Sequence, residues 1–473
     1  MKLIFTPLIR QYVLVVTANL AILTTGMSLA WPSPSMVKLR NAAETPLPSP
    51  ITDEEGSWVV AGGFIIAVFT NFLSRIMTDK IGRKQCIIFA SIVKLFGAIT
   101  LVFANEVWIF ILCRTAMLIF DCCLLVVIPV YASEIANKEQ RGALGTFLQL
   151  FSSVGVLFTL SLGPFLQYKT FSIINASVFA VLTVPLLFLP DTPFYFYSKG
   201  RLDEAMTVLT SIRGSEILAK QELEEYKVSS DKSKRKIDKS ALFKNKAFLR
   251  ASCLGLMLTG GSQMIGSNAI NFYLQTILES TKTSVPSEIA SVIVGCIQVL
   301  ASFCTTFIMN TFGRRNILMS SLVGILVGML GLGTFFEIGG VEGYVVTGFM
   351  NYLPIISLIL VIFCYNVGIG SVLWVVVSEL FEGPSRALGV TISFTSSNTL
   401  IFVTTKYFAL MTTALGPATT YWLFSSMCVL LFATIAIFLP ETKGKSFSDI
   451  QIALGDNIDV QENINENKKY NIP

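Results

Sequence analysis

Asp79-Lys-Ile-Gly-Arg-Lys84 is a short charged turn set between two apolar stretches, residues 57–77 and 86–103. A close copy, Asn310-Thr-Phe-Gly-Arg-Arg315, stands between the apolar stretches 288–309 and 316–338. Two further signatures repeat in the same order. Glu134 and Arg141, seven residues apart, are answered by Glu379 and Arg386 at the same spacing. Leu189-Pro-Asp-Thr is answered by Leu439-Pro-Glu-Thr. Ordered pairs at a near-constant offset mark a duplicated unit.

The apolar stretches on either side of these signatures say what the unit is. A hydrocarbon layer about 30 Å thick selects apolar runs of about 20 residues. Such runs fall at 11–30, 57–77, 86–103, 108–131, 142–163 and 171–190, then at 251–278, 288–309, 316–338, 352–381, 387–411 and 418–439. The chain of 473 residues is 53% hydrophobic and only 14% charged, too little charge for the surface of a soluble protein of this length. The pattern predicts an all-α membrane protein: twelve transmembrane helices in two six-helix bundles related by a pseudo-twofold axis. The predicted domains are 1–197, an N-terminal bundle; 198–247, a helical linker; 248–450, a C-terminal bundle; and 451–473, a disordered tail. Lys2 and Arg10 precede the first run as they would in a secretory signal. That run is longer than a usual signal core and lacks a convincing cleavage site, so it is read as a retained span.

Most of the 35 Lys and Arg fall in the N-terminus, the even-numbered connections and the C-terminus. Lys38, Arg40, Lys169 and Lys282 lie in the opposite loops, and Lys94, Arg114 and Lys406 lie within spans. The positive-inside rule then predicts both termini in the cytosol. The net charge of +5 reports topology and gives no reason to expect nucleic acid. The 9 cysteines lie in or beside spans without metal-ligand spacing and read as small buried apolar groups. The chain has no histidine, which excludes imidazole proton relays and histidine-bound metals. No phosphate loop, metal cluster or nucleophile constellation is present, so no enzyme chemistry, cofactor or metal is expected.

The connection after Ser198 is charge-rich, with amphipathic pieces at Leu202–Ile212 and Ile217–Tyr226 and a basic run at 232–236. It predicts a solvated, partly helical linker, with lipid-headgroup contact by the basic run as a further hypothesis. Residues 31–56, with Pro32, Pro34, Pro46, Pro48 and Pro50, read as the longest loop of the opposite face. Gly82 and Gly313 suit turns needing positive φ. Glu134 and Glu379 end long helices, where an acid is unfavourable for the dipole unless an arginine accompanies it. Asp79, Arg83, Lys84, Glu134, Arg141, Arg314, Arg315, Glu379 and Arg386 are therefore read as a gating network that holds the two halves together on the cytosolic side. Exposed ion pairs are each worth about 0–1 kcal/mol, enough in number to bias two states without locking either.

The chain resembles the sugar porter family of the major facilitator superfamily, and within it the insect facilitative group of trehalose and hexose carriers. The resemblance runs from Gly26 to Gln451. It is carried by Asp79–Lys84, Pro129-Val-Tyr-Ala-Ser-Glu134, Arg141-Gly-Ala-Leu-Gly145 with Gln149-Leu, Pro190-Asp-Thr-Pro193 and Lys199-Gly-Arg201. It continues through Asn268-Ala, Gly313-Arg-Arg315, Trp374, Glu379-Leu-Phe381 and Pro440-Glu-Thr-Lys-Gly444. It implies facilitative transport of a small sugar by rocking of two bundles around a central site, in a monomer of the plasma membrane. It places sugar-binding amides at Gln149, Gln263 and Asn268 and an aromatic at Trp374; Asn271 and Asn366 are counted with them. Amides suit hydroxyls because they both donate and accept.

Gly260-Gly261 and Gly266 predict a break in the seventh span that would turn Gln263 and Asn268 toward one cavity. On an unbroken helix these two stand about 140° apart, and Gln263, Ser267 and Asn271 form the stripe instead. Each lone amide also has a plainer reading as an interhelical hydrogen bond, the one favoured for Gln298.

The sequence also departs from the family pattern. Ser262 stands where a second glutamine is usual, Ser371-Val-Leu373 replaces a Pro-x-Pro, and the Asn-Trp pair of the eleventh span is missing around Ser396-Ser397-Asn398. Arg75 and Asn310 replace a glycine and an acid of the repeated turn, and Leu118, Phe120 and Cys122 replace small residues. Lys94 and Asp121 lie in mid-span, where each alone costs about 2.5–3.5 kcal/mol. They are predicted to pair, with Arg114 a rival partner. The first span lacks the aspartate of proton-coupled relatives, which favours uniport. Two alternatives stay open: a non-transporting sugar sensor on a carrier scaffold, and a carrier of a non-sugar solute with proton coupling through Asp121. Asn175-Ala-Ser177 is a glycosylation sequon close to the sixth span.

Overall fold

The computed structural model describes residues 6–137, 140, 144–233, 246–341, 347–381, 385–445 and 447–454. The crossings of the first half are α1 (Pro7–Ala30), α3 (Asp53–Ile81), α4 (Arg83–Phe103), α5 (Val107–Ile135), α6 (Phe147–Leu162) and α7 (Tyr168–Leu186), with α2 (Pro32–Arg40) after the first. Three short helices follow: α8 (Pro193–Ser198), α9 (Leu202–Arg213) and α10 (Glu216–Ser233). The second half comprises α11 (Lys246–Met264), α12 (Ser267–Phe272) and α13 (Leu274–Thr281), which together make one crossing, then α14 (Ser287–Thr311) and α15 (Arg314–Gly339). It closes with α16 (Leu353–Val367) and α17 (Ile369–Glu379) as one crossing, α18 (Ser385–Ala414), α19 (Pro417–Phe438) and the short α20 (Phe447–Ala453). Among the described residues, 8 spans are by themselves long and apolar enough to cross a membrane. Phe103, Phe188, Phe307 and Ile437 project strongly exposed from the outer surface, as lipid-facing side chains would.

Packing repeats with the sequence. In each half the first crossing packs on the fifth, the second on the fourth, and the third on both the fourth and the sixth. The halves meet where α3 packs on α18 and α6 on α14, two contacts that exchange under the same twofold. At the second of these, Ser153 and Ser302 share a 2.6 Å hydrogen bond and a Cβ on Gly295 would stand 3.0 Å from Leu157, so the helices approach closely.

Local chemistry fixes the helix ends. Thr52 and Glu55 form a capping box at the start of α3, each side chain taking up the other's backbone N–H. Gly82 has φ 98 and turns α3 into α4 as the sequence predicts. Gly313 departs from its prediction. Its φ is −69, and glycine is required there for proximity, because a Cβ would lie 2.3 Å from Glu441 Oε2.

Residues 32–40 also differ from their reading as loop. Pro32 and Pro34 fall at the start of α2, where a missing N–H costs nothing. The helix is buried there, Lys38 donating to the carbonyls of Pro164 and Leu166. The predicted pieces at 202–212 and 217–226 are helical; the basic run from Lys234 onward and the tail after Leu454 lie outside the described residues. The stretch assigned to the tail from 451 includes the end of α20, and Arg250 Nη1 donates to the carbonyl of Leu454 at 2.9 Å.

Candidate functional site

The seventh crossing breaks where its glycines predict. Gly266 adopts a left-handed φ of 77 between α11 and α12, and a Cβ there would fall 2.3 Å from the ring of Phe424. The turn folds Asn268 back on Gln263: Asn268 Nδ2 donates to Gln263 Oε1 at 2.6 Å. Gln263 Nε2 donates in turn to Ser397 Oγ of α18 at 3.0 Å and to Ser262 Oγ at 3.3 Å. Ser262 and Ser397, both departures from the family pattern, thus take over part of the hydrogen bonding. Asn271 is not drawn in; its Nδ2 donates to the carbonyl of Ser267 in its own helix at 3.2 Å.

The tenth crossing is interrupted too, although its prolines are absent. Gly368 separates α16 from α17, and the carbonyl of Asn366 freed by the interruption accepts from Ser371 Oγ at 2.7 Å and Thr305 Oγ1 at 3.3 Å. Asn366 Oδ1 accepts from Gln149 Nε2 at 3.1 Å. This contact joins α6 of the first bundle to α16 of the second. Trp374 stacks on Phe394 of α18, centroids 4.1 Å apart and 13° between planes. Gln298 does not make the expected interhelical bond through its Oε1, which is buried without a partner; so is Nδ2 of Asn398, the neighbour of Ser397. No sequence pattern marks these unpaired atoms, because only the tertiary packing decides which amide is left without a partner.

At the face where α1 begins and α20 lies, Glu134 pairs with Arg83 at 2.9 Å and Glu379 approaches Arg314 at 3.9 Å. Asp79 is exposed and stands 4.0 Å from Arg83; Arg315 donates to the carbonyl of Ala436. Arg386 is exposed at the start of α18, and Arg141 lies outside the described residues. The acids therefore take their arginines from the repeated turn. Each of these pairs lies within one bundle, tying the repeated turn to the end of a neighbouring helix in the same half.

Two acids missed as site residues organise these corners. Asp191 Oδ1 accepts from the backbone N–H of Thr192, Arg83 and Lys84 at 2.8, 3.1 and 3.4 Å. Glu441 repeats this at the start of α15, accepting from Arg314 and Arg315 N–H at 2.8 and 3.2 Å. Each supplies negative charge to the N-terminus of a helix whose first N–H groups have no internal partner. Burial still pushes the Asp191 carboxyl above the usual carboxylate range, the three N–H bonds and Arg83 opposing. The repeated Pro-Asp-Thr and Pro-Glu-Thr signatures were the available signal.

Across the opposite face the bundles are in contact. Lys406 of α18 donates to Ser57 Oγ of α3 at 2.7 Å and lies 4.3 Å over the ring of Trp58. Phe64 meets Phe272 at 5.8 Å, and Ser33 Oγ accepts from the N–H of Gln275 at 3.0 Å.

Inside the first bundle, Lys94 Nζ lies 2.6 Å from Asp121 Oδ1, and both side chains are fully buried. Lys94 also donates to Thr24 and Thr25 of α1, each at 2.9 Å. The predicted pairing is realised. Arg114, the rival partner, instead donates to Ser28 Oγ at 3.1 Å and lies 4.9 Å over the ring of Trp31. Asn175 of the sequon is buried inside α7, out of reach of a glycan-transferring enzyme.

Two six-helix bundles with an uncharged amide cluster between them define a membrane carrier. Residues 31–454 match the family model described as sugar (and other) transporter. The chain is 26% identical over 445 residues to the facilitated trehalose transporter Tret1 of Anopheles gambiae, covering 93% of this chain and 55% of that protein. Against the transporter of the same name from Polypedilum vanderplanki the identity is 26% over 451 residues, covering 93% and 87%. The inward-open xylose transporter XylE from E. coli superposes with a TM-score of 0.77 at 20% identity, covering 93% of this chain and 99% of that one. The fold is that of the major facilitator superfamily, with twelve spans in two related bundles. The chain belongs to the sugar (and other) transporter family, whose members carry solutes and are not enzymes.

Proposed function

We propose that this chain is a facilitative uniporter of a small sugar such as trehalose or a hexose, in a plasma membrane with both termini cytosolic. The observation that carries the reading is the Gln149–Asn366 hydrogen bond, one uncharged amide from each bundle. A hydroxylated solute between the bundles exchanges this contact for bonds of the same kind to itself, coupling occupancy to bundle separation. Gln263, Asn268 and the stacked Trp374 extend the surface with amides and an aromatic plane.

Uniport is supported by two features of the first bundle. The residue of α1 facing Arg114 is Ser28, which does not titrate near neutral pH. Asp121, the acid in mid-span, is locked to Lys94 and out of solvent. Purified protein in liposomes should take up labelled trehalose or glucose down a gradient, with counterflow, and without response to pH or a protonophore. Binding without counterflow would favour a sensor, silence across all sugars and polyols a different solute, and a proton current matched to uptake would exclude uniport.

A further inference from the structure

A second polar site lies within the first bundle, away from the amides between the halves. α1, α4, α5 and α7 surround a small cavity, too small for any sugar, with Ser28, Trp31, Met117, Ser172, Asn175 and Phe179 in its wall. Asn175 is buried, and neither its Nδ2 nor its Oδ1 has a hydrogen-bond partner. Ser28 accepts from Arg114, which leaves its own O–H free to donate.

The charges around this cavity do not balance. Lys94, Arg114 and Asp121 are all buried, two cations against one carboxylate. Asp121 is taken by Lys94 at 2.6 Å. Arg114 has no carboxylate within ion-pairing distance among the described residues, and its Nε is buried without a partner. Neither cation lines the cavity itself: Arg114 reaches it through its bond to Ser28 and lies 4.9 Å over Trp31, and Lys94 lies 5.5 Å over Phe179. An unpaired charge at this depth is costly and calls for a counter-charge.

We propose that this cavity binds one small monatomic anion of the chloride class. The Asn175 amino end and the Ser28 and Ser172 hydroxyls donate to it, and Arg114 supplies the compensating charge. A water molecule would meet the needs of Asn175 but leave the extra positive charge in place, which is why the anion is the better occupant. The site does not depend on which solute the carrier moves.

The test uses the full chain purified in detergent, with chloride, bromide or gluconate at one ionic strength. A saturable rise in Tm of about 2–4 °C in either halide over gluconate is expected. The shift should vanish in N175L, which fills the cavity and removes the donor, and shrink in S172V. Equal Tm in halide and gluconate would overturn the proposal in favour of a water-only cavity. So would a halide shift unchanged in both variants, which would place the ion elsewhere. Should neither variant fold, the anomalous signal of bromide in wild-type crystals, inside or outside this cavity, decides the matter.

Discussion

Lys94 on α4 and Asp121 on α5 form a 2.6 Å ion pair with no exposure of either side chain. Two charges that would each oppose membrane insertion instead tie α4 and α5 together, and the hydrogen bonds to Thr24 and Thr25 extend the tie to α1. Removing one partner leaves the other uncompensated, at a cost of about 3–5 kcal/mol. K94M and D121L are each expected to lower thermal stability sharply, while K94M/D121L recovers most of the loss. Melting curves of the four proteins form the double-mutant cycle; additive losses would show that the pair is not a unit.

Gly266 is held at positive φ against the ring of Phe424. G266A adds both a backbone penalty of about 1 kcal/mol and a steric clash. The variant should lose the Gln263–Asn268 contact and with it most sugar uptake, with a smaller drop in Tm. Unchanged uptake would show that the break in this crossing is dispensable.

The amides between the bundles should respond in graded fashion. A neutral hydrogen bond contributes about 0.5–1.5 kcal/mol, or roughly 2–12-fold in affinity. Q149L and N366L should each raise the KM for sugar within that range, and the double variant should exceed either single effect, because each amide bonds the sugar separately once their mutual contact is exchanged. Q263L removes a residue bonded to two helices and is expected to cost more. Transport kinetics in liposomes give each value.

Asp191 caps α4 from a connecting segment, and its carboxyl is raised by burial. A raised acid binds its proton more tightly when folded than when unfolded, so its contribution to stability falls as pH rises through the folded value. Wild type should therefore gain stability relative to D191N as pH drops from neutral toward the ordinary carboxylate range. D191N keeps an acceptor for the N–H groups and should fold; D191A leaves them unpartnered and should lose about 1 kcal/mol. Thermal melts across pH on the three proteins check the sign.

Lys406 reaches from α18 to Ser57 and Trp58 of α3. Loss of one hydrogen bond and one cation–π contact is worth about 1 kcal/mol, or roughly 5-fold in a two-state equilibrium. K406A should make cysteines placed around Trp58, and around Phe402 of α18 whose ring lies 6.0 Å from it, label faster from that face. Labelling at the wild-type rate would mean that the contact does not hold the mouth closed.

Much of this protein was settled by the order of residues alone. Long apolar runs leave the backbone no choice but helices that satisfy their own hydrogen bonds, and the repeated turns at Asp79–Lys84 and Asn310–Arg315 announced that the second half copies the first. Gly266 foretold a break because few other residues tolerate its φ, and Lys94 and Asp121 foretold each other because neither charge is tolerable alone in hydrocarbon. Tertiary structure decided what pattern cannot encode, namely partners chosen across long sequence distances. Glu134 takes Arg83, fifty-one residues away in the chain, because the start of α4 packs beside the end of α5. Gly313 was needed for closeness to Glu441 and not for its φ, and Asp191 and Glu441 became caps only once a distant helix end was placed within hydrogen-bonding reach. Composition and period act along one chain segment; charge pairing, capping and unpaired amides depend on which segments meet.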